Sequence, residues 1–337
     1  MYILNNVYEN ISGGGMFADL MKKHTVPGCS IAVIREGNIV WSGACGVRDG
    51  QGAPMTDGVL FECASLTKSM FALLAMQEVD NGKLDLDAPI APLLNEAPWS
   101  DDPRFMRITA RQCLCHGSGL PNWQGRPMDI LFDPGTGYSY SGEGYFLLQR
   151  LVEQTEGKDM NALFMERFFL PFGMDSSAAC WTPNVGAAFS HGFDRGGKVC
   201  KVRAERVVSG NSPEPNAAWS LYSHAADYAR FLTAMINFRG GLSQAAFDVM
   251  TRTQNSAGKG VDWGLGFGIP KADANVMWHW GDNSGFKSFA VWDKATGDGA
   301  VITTNSDNGL EFCIETLKYM TGSEFFDDIA AFISAAE

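Results

Sequence analysis

The chain has 337 residues, 45% of them hydrophobic and 19% charged, enough to bury one large core or two modest ones, which excludes disordered and fibrous classes. Its formal net charge of -12 is spread along the sequence, and no Lys/Arg-rich stretch exists to follow a phosphate backbone, so nucleic acid is not expected as a partner. The opening MYILNNVYENISGGGMF has no basic start and no apolar run, and nowhere is there the stretch of roughly 18 apolar residues that spans a bilayer. No membrane insertion is expected, and the location reads as cytoplasmic, or as periplasmic or secreted if a signal peptide has been removed.

Taken in chain order, residues 29 to 46 form two β-rich runs joined by Glu36-Gly37-Asn38, which reads as a hairpin. From Ser65, the apolar positions Leu66, Met70, Leu73, Leu74, Met76 and Val79 recur near helical period until Asn81-Gly82 supplies a stop. Further helical patterns run from Gly144 to Thr155, Met160 to Phe169 and Ala225 to Asn237, separated by loops such as Phe132-Asp133-Pro134-Gly135. Met277 to Trp280, Phe286 to Trp292 and Gly299 to Thr304 have strand character, and Leu310 to Met320 is helical. The expected fold is α/β in the α+β sense: an antiparallel sheet of N- and C-terminal strands flanked by helices, with a mainly helical insertion. The expected division is residues 1–85 plus 231–337 for the sheet domain and 86–230 for the helical domain, with the active site between them.

Eight cysteines, several inside apolar strings such as CSIAVI, read as reduced core residues. Cys113, Cys115 and His116 lie together but lack a second pair at zinc spacing, so neither a metal nor any cofactor is expected. His24 and His116 have no partner spacing that suggests catalysis, and His116 is expected to hydrogen-bond the loop that follows it. Residues 192–198 imitate a phosphate loop, but Val199 stands where the metal-binding hydroxyl would be, and the flanks read as a hairpin with a Gly-Gly turn. No Gly-x-Ser-x-Gly elbow is present.

The sharpest local signal is Ser65-Leu66-Thr67-Lys68, because Ser and Lys three apart share one helix face and can touch. A serine at a helix start also lies where free N–H groups favour an oxyanion, the alternative reading being a plain capping serine. Downstream come the loop Pro134-Gly135-Thr136-Gly137-Tyr138-Ser139-Tyr140-Ser141-Gly142-Glu143-Gly144-Tyr145 and the strand Trp278-His279-Trp280-Gly281-Asp282.

With these three segments in order, the chain resembles the serine β-lactamase and penicillin-binding-protein superfamily, in its class C-like branch of esterases, D-amino-acid peptidases and acyltransferases. The family motifs Ser-x-x-Lys, Tyr-x-Asn and Lys-Thr-Gly or His-x-Gly read here as Ser65-Leu66-Thr67-Lys68, Tyr140-Ser141-Gly142 and His279-Trp280-Gly281. The similarity runs from about Pro27 to Asn308 and includes the connecting phrase Cys115-His116-Gly117-Ser118-Gly119-Leu120-Pro121. The resemblance implies that Ser65 attacks a carbonyl, that Lys68 and Tyr140 share the proton relay, and that the oxyanion hole is the backbone N–H of Ser65 with that of Asp282. It also implies that Gly142, His279, Trp280 and Gly281 line the substrate site, His279 near enough to support Tyr140; the bland alternative for His279 is a packed strand histidine.

Gly142 stands where the family's asparagine would orient a substrate amide, and His279 where its lysine would meet a carboxylate. Both departures favour a carboxylesterase-like hydrolase of small esters or amides over efficient β-lactam hydrolysis. A β-lactamase or D-amino-acid peptidase, an acyltransferase and a non-catalytic binding module are the alternatives, the last disfavoured because Ser65, Lys68 and Tyr140 are all retained. The expected partner is a small ester, amide or short peptide. Glu143 reads as a solvated loop carboxylate, with contact to a substrate amine as the other reading, and Trp123, Trp219, Tyr222, Trp278 and Trp280 are candidate apolar walls.

Overall fold

The computed structural model describes Met1, residues 15–202 and residues 214–336. Strands β1 (Gly28–Arg35) and β2 (Asn38–Gly46) form the expected hairpin, with Glu36 and Gly37 at φ 49° and 76° in the turn. Positive φ at both central residues gives the turn the twist of the strands it joins. The short strands β3 (Phe61–Ala64), β4 (Gly192–Phe193), β5 (Val199–Lys201) and β6 (Leu221–Ser223) follow. The C-terminal half supplies β7 (Asn255–Gly258), β8 (Val261–Trp263), β9 (Gly268–Pro270), β10 (Val276–Asn283), β11 (Phe286–Asp293) and β12 (Gly299–Thr304).

One antiparallel sheet of eight strands runs in the order β2-β1-β12-β11-β10-β9-β8-β7. Pairing of β1 with β12, from Cys29 opposite Thr304 to Ile34 opposite Gly299, puts the two ends of the sequence in one sheet as expected. Residues on both faces of β1, β11 and β12 are buried, so helices must cover both sides. Helix Ala225–Phe238 lies against β1, β2 and β12, and helix Gly309–Thr321 against β11 and β12. The first of these spans the expected boundary at residue 230, yet its contacts tie it to the sheet.

Helix Leu66–Asp80 is buried on nearly every side, as its apolar residues require, and packs on β10 and β11. Helix Gly142–Glu156 and the turns before it form the other wall of the site. The segment 192–201 is the β4–β5 hairpin and not a phosphate loop. Strands β7 to β9 and the β3–β6 pair were not legible in the sequence, since three or four residues are too few for alternation to register. All eight cysteines are free thiols; Cys200 is exposed and Cys45 and Cys180 are half-buried, so these three are not core residues.

The contact between β3 and β10 decides where Ser65 meets the sheet. A Cβ on Gly281 would lie 2.2 Å from both the Cys63 carbonyl oxygen and Ser288 Oγ, so the strands approach this closely only because residue 281 is glycine. Gly281→Ala is expected to lower unfolding free energy by about 2–3 kcal/mol in a denaturant titration, because backbone must move to admit the methyl group.

Candidate active site

Ser65 follows an alanine held in a left-handed conformation. Ala64 has φ 49°, a state that costs a non-glycine residue of order 1–3 kcal/mol unless its surroundings hold it. Here Thr67 Oγ1 donates to the Ala64 carbonyl at 2.6 Å and accepts from Leu221 N–H of β6 at 3.0 Å. The chain thus turns sharply from β3 into the helix, with Ser65 at the bend. Its side chain makes no capping hydrogen bond, which removes the capping-serine alternative.

Lys68 Nζ lies 3.0 Å from Ser65 Oγ and donates to the Ala218 carbonyl at 2.7 Å. The lysine is fully buried, and among the described residues no ion pair includes it. Burial without a counter-ion pushes its pKa well below the ordinary 10.5, because the charged form loses its hydration and gains no anion.

Tyr140 arrives from the opposite wall. Ser141, next to it, caps helix Gly142–Glu156: its Oγ accepts from Gly144 N–H at 3.0 Å and donates to the Pro121 carbonyl at 2.7 Å, while its N–H donates to His116 Nδ1 at 3.1 Å. The His116 ring stands 4.3 Å from the Tyr140 ring, the Trp280 ring 4.8 Å away on the same phenol, and Lys68 Nζ 4.8 Å from the ring centre. Burial pushes the Tyr140 pKa up, and the adjacent Ser65 side chain pulls it only part of the way back, so the group stays a phenol. That contact falls outside strict hydrogen-bond geometry, and the buried hydroxyl has no settled protein partner among the described residues.

His279 and Trp280 are 1% and 5% exposed, packed behind Tyr140 rather than open at a surface. His279 Nδ1 meets the Trp280 carbonyl at 2.7 Å, which assigns the proton there and leaves a lone pair on Nε2. Burial first, and then the nearby Lys68, push its pKa down to about 3, so the ring is neutral. The same two influences, with His279 added, push His116 well below its usual range. His116 is the residue the sequence undervalued: it bonds not simply to the loop after it but to Ser141, 25 positions on.

The β10–β11 hairpin carries Asp282. In the strand order β10 is internal rather than an edge, but β9 pairs with it only at Trp278 opposite Gly268, leaving the stretch beyond without a strand partner on that side. Four contacts fix this hairpin. Ser288 Oγ donates to the Cys63 carbonyl at 2.9 Å, Asn283 Nδ2 donates to Glu62 Oε2 at 2.7 Å, and Lys287 Nζ lies 2.8 Å from Asp282 and 3.0 Å from Asp307. Lys201 of β5 completes the buried pair with Glu62 at 3.1 Å. Glu62 and Lys201 escaped sequence reasoning, because nothing local marks a charge that will be paired with a residue more than 100 positions away, and Lys287 escaped it because its neighbours Asp282 and Asp307 carry no motif that marks them as partners.

Of the candidate walls, Tyr222 and Trp278 are core, Trp219 is half-buried beside Ala218, and Trp123 is exposed over Gly142. Glu143 is neither solvated nor free: it lies buried in the first helical turn and accepts from Gln124 N–H at 3.3 Å, with burial pushing its pKa up. Cys113 and Cys115 are buried thiols, the latter pushed up to about 11 by desolvation.

The likeness to known proteins extends over most of the chain. The chain is 26% identical over 357 residues to esterase EstB of Burkholderia gladioli, covering 86% of this chain and 89% of the esterase. It is 27% identical over 234 residues to penicillin-binding protein 4 of Amycolatopsis lactamdurans, covering 64% of this chain but only 58% of that protein. Among solved structures, the D-alanine carboxypeptidase AmpC of Burkholderia cenocepacia superposes with a TM-score of 0.77 at 21% identity, over 93% of this chain and 98% of that one, which is a likeness of fold. The sequence profile of the beta-lactamase family matches residues 15–318, nearly the whole described chain, and the protein therefore belongs to the beta-lactamase family.

Proposed function

We propose that the protein is a carboxylesterase-like serine hydrolase that forms an acyl-enzyme on Ser65. The observation that carries this reading is the buried, ion-pair-free Lys68 amine 3.0 Å from Ser65 Oγ. A serine hydroxyl needs an adjacent base, and an amine whose pKa is depressed by burial is neutral often enough to serve. Of the two partners, Lys68 is therefore the base and Tyr140, which burial keeps protonated, is the donor.

In the acylation step, the Lys68 lone pair takes the Ser65 hydroxyl proton as Oγ bonds to the ester carbon. The carbonyl oxygen becomes the tetrahedral oxyanion, held by the backbone N–H groups of Ser65 and Asp282, a donor pair of which each member is worth about 3 kcal/mol. Collapse breaks the bond to the alcohol, whose oxygen takes the Tyr140 proton. Tyr140 is then reprotonated from the Lys68 ammonium. Water then attacks the acyl carbon as the Lys68 amine takes its proton; Ser65 Oγ leaves with the Tyr140 proton, Tyr140 regains a proton from the Lys68 ammonium, and the acid is released. His116, His279 and Trp280 act by holding the Tyr140 ring, and Glu62, Lys201 and Lys287 by holding the strand that carries Asp282.

An ester is favoured over a β-lactam on two grounds. Glycine at 142 offers no side chain to orient a substrate amide, and neutral, buried His279 offers no charge for a carboxylate. The overall similarity to a named esterase across most of both chains points the same way.

Side-by-side assays with a short-chain nitrophenyl ester and a chromogenic cephalosporin are expected to give ester turnover with the cephalosporin left intact. Ser65→Ala is expected to cut ester turnover by about 10⁶-fold, the order of the loss seen when a serine nucleophile is removed. Rapid cephalosporin opening would instead make the protein a β-lactamase. Tyr140→Phe is expected to slow kcat by about 10²–10⁴-fold, the usual contribution of a positioned proton donor, with a smaller change in KM. The pH profile follows from Lys68: kcat/KM is full above the depressed pKa, where the amine is neutral, and falls as pH drops through it. Lys68→Arg is expected to abolish turnover across the range, since a guanidinium cannot deprotonate; an unchanged acid limb in that variant would remove Lys68 as the base.

A further inference from the structure

We propose that Trp123, laid over the backbone of Gly142, is the specificity wall of this site and receives an extended apolar arm of the substrate, an alkyl chain of several carbons or an aryl ring. The inference rests on the esterase reading above and adds to it the class of ester. Trp123 is 53% exposed, a large apolar ring left in water beside the motif that carries Tyr140. Its Cη2, Cζ2 and Cζ3 ring carbons, on the benzene edge of the indole, stand 2.5, 2.6 and 2.9 Å from where a Cβ on residue 142 would be. Only glycine at 142 admits the ring in this place, so the ring and the missing side chain are one feature.

Its place is held by its neighbours. Asn122 Oδ1 accepts from Gly142 N–H at 2.9 Å, the Asn122 carbonyl accepts from Glu143 N–H at 3.2 Å, and Gln124 N–H donates to the Glu143 carboxylate at 3.3 Å. Gln124 is itself tied to Asp129 by bonds of 3.0 and 3.2 Å. Both residues flanking Trp123 are thus latched to the start of helix Gly142–Glu156, two positions from Tyr140. Among the described residues the indole has no ring or hydrogen-bond partner of its own. A latched segment that leaves an indole exposed over Gly142, two positions from Tyr140, presents a preformed surface for an apolar group.

The test uses binding rather than turnover, with Ser65→Ala protein and three esters: ethyl acetate, ethyl hexanoate and its isomer hexyl acetate. Dissociation constants come from NMR titration. At least one of the two longer esters is expected to bind about tenfold more tightly than ethyl acetate, from a few methylenes withdrawn from water. The isomer that gains identifies which side of the ester meets the wall. Trp123→Ala is expected to erase the advantage, Trp123→Phe to keep most of it, and Gly142→Ala to erase it by displacing the ring. No preference for either long ester, or a preference that survives Trp123→Ala and Gly142→Ala, overturns the proposal. Failure of the esterase reading is separate: it is an absence of ester turnover in the Ser65 protein, and leaves the binding comparison as it stands.

Discussion

An amine with no counter-ion among the described residues, buried one helical turn from a serine, is the constraint on which the rest of the site depends. Keeping Lys68 out of water requires that helix Leu66–Asp80 be covered on almost every side, which is why it runs between the sheet and the helical wall rather than along a surface. Water would restore the charge and with it the ordinary pKa. The Tyr140 ring, which closes the space above the amine, and the Ala218 carbonyl, which takes one of its hydrogens, complete the enclosure. Burial then acts oppositely on the two groups, lowering the lysine and raising the tyrosine, which is the separation that the proposed base and acid require.

Three parts of the chain must converge for this to hold, and each is tied by contacts distant in sequence. Ser65 is fixed by the left-handed Ala64 and by Thr67 bridging to β6. Tyr140 is fixed through its neighbour Ser141, bound to His116 and Pro121. Asp282 is fixed through Asn283, Lys287 and the glycine at 281 that lets β10 touch β3. The polar ties are buried, where an unmade hydrogen bond is costly, so they specify geometry more than they add stability.

The substrate side shows the complementary principle, that an absent side chain also builds a site. Gly142 removes a polar group and admits an indole in the same stroke. The helix cap at Ser141 and the Asn122 and Glu143 bonds decide where that indole lies.

Much of this was legible before folding. The β1–β2 hairpin, the helix after Ser65, the strands β10 to β12 and the Ser65–Lys68 pair all depend on residues near each other in sequence, where period and spacing fix geometry. The short strands β7 to β9 were not, nor was the burial of Glu143, because neither carries a local pattern. The sequence by itself determined which groups could react and that Ser65 and Lys68 would share a helix face. Only the tertiary structure decided that Lys68 lacks a counter-ion, that His116 holds the Tyr140 loop, that Glu62 grips the Asp282 hairpin and that Trp123 covers Gly142. Protonation and placement are set by what surrounds a group, and those surroundings are assembled from segments that only the fold brings together.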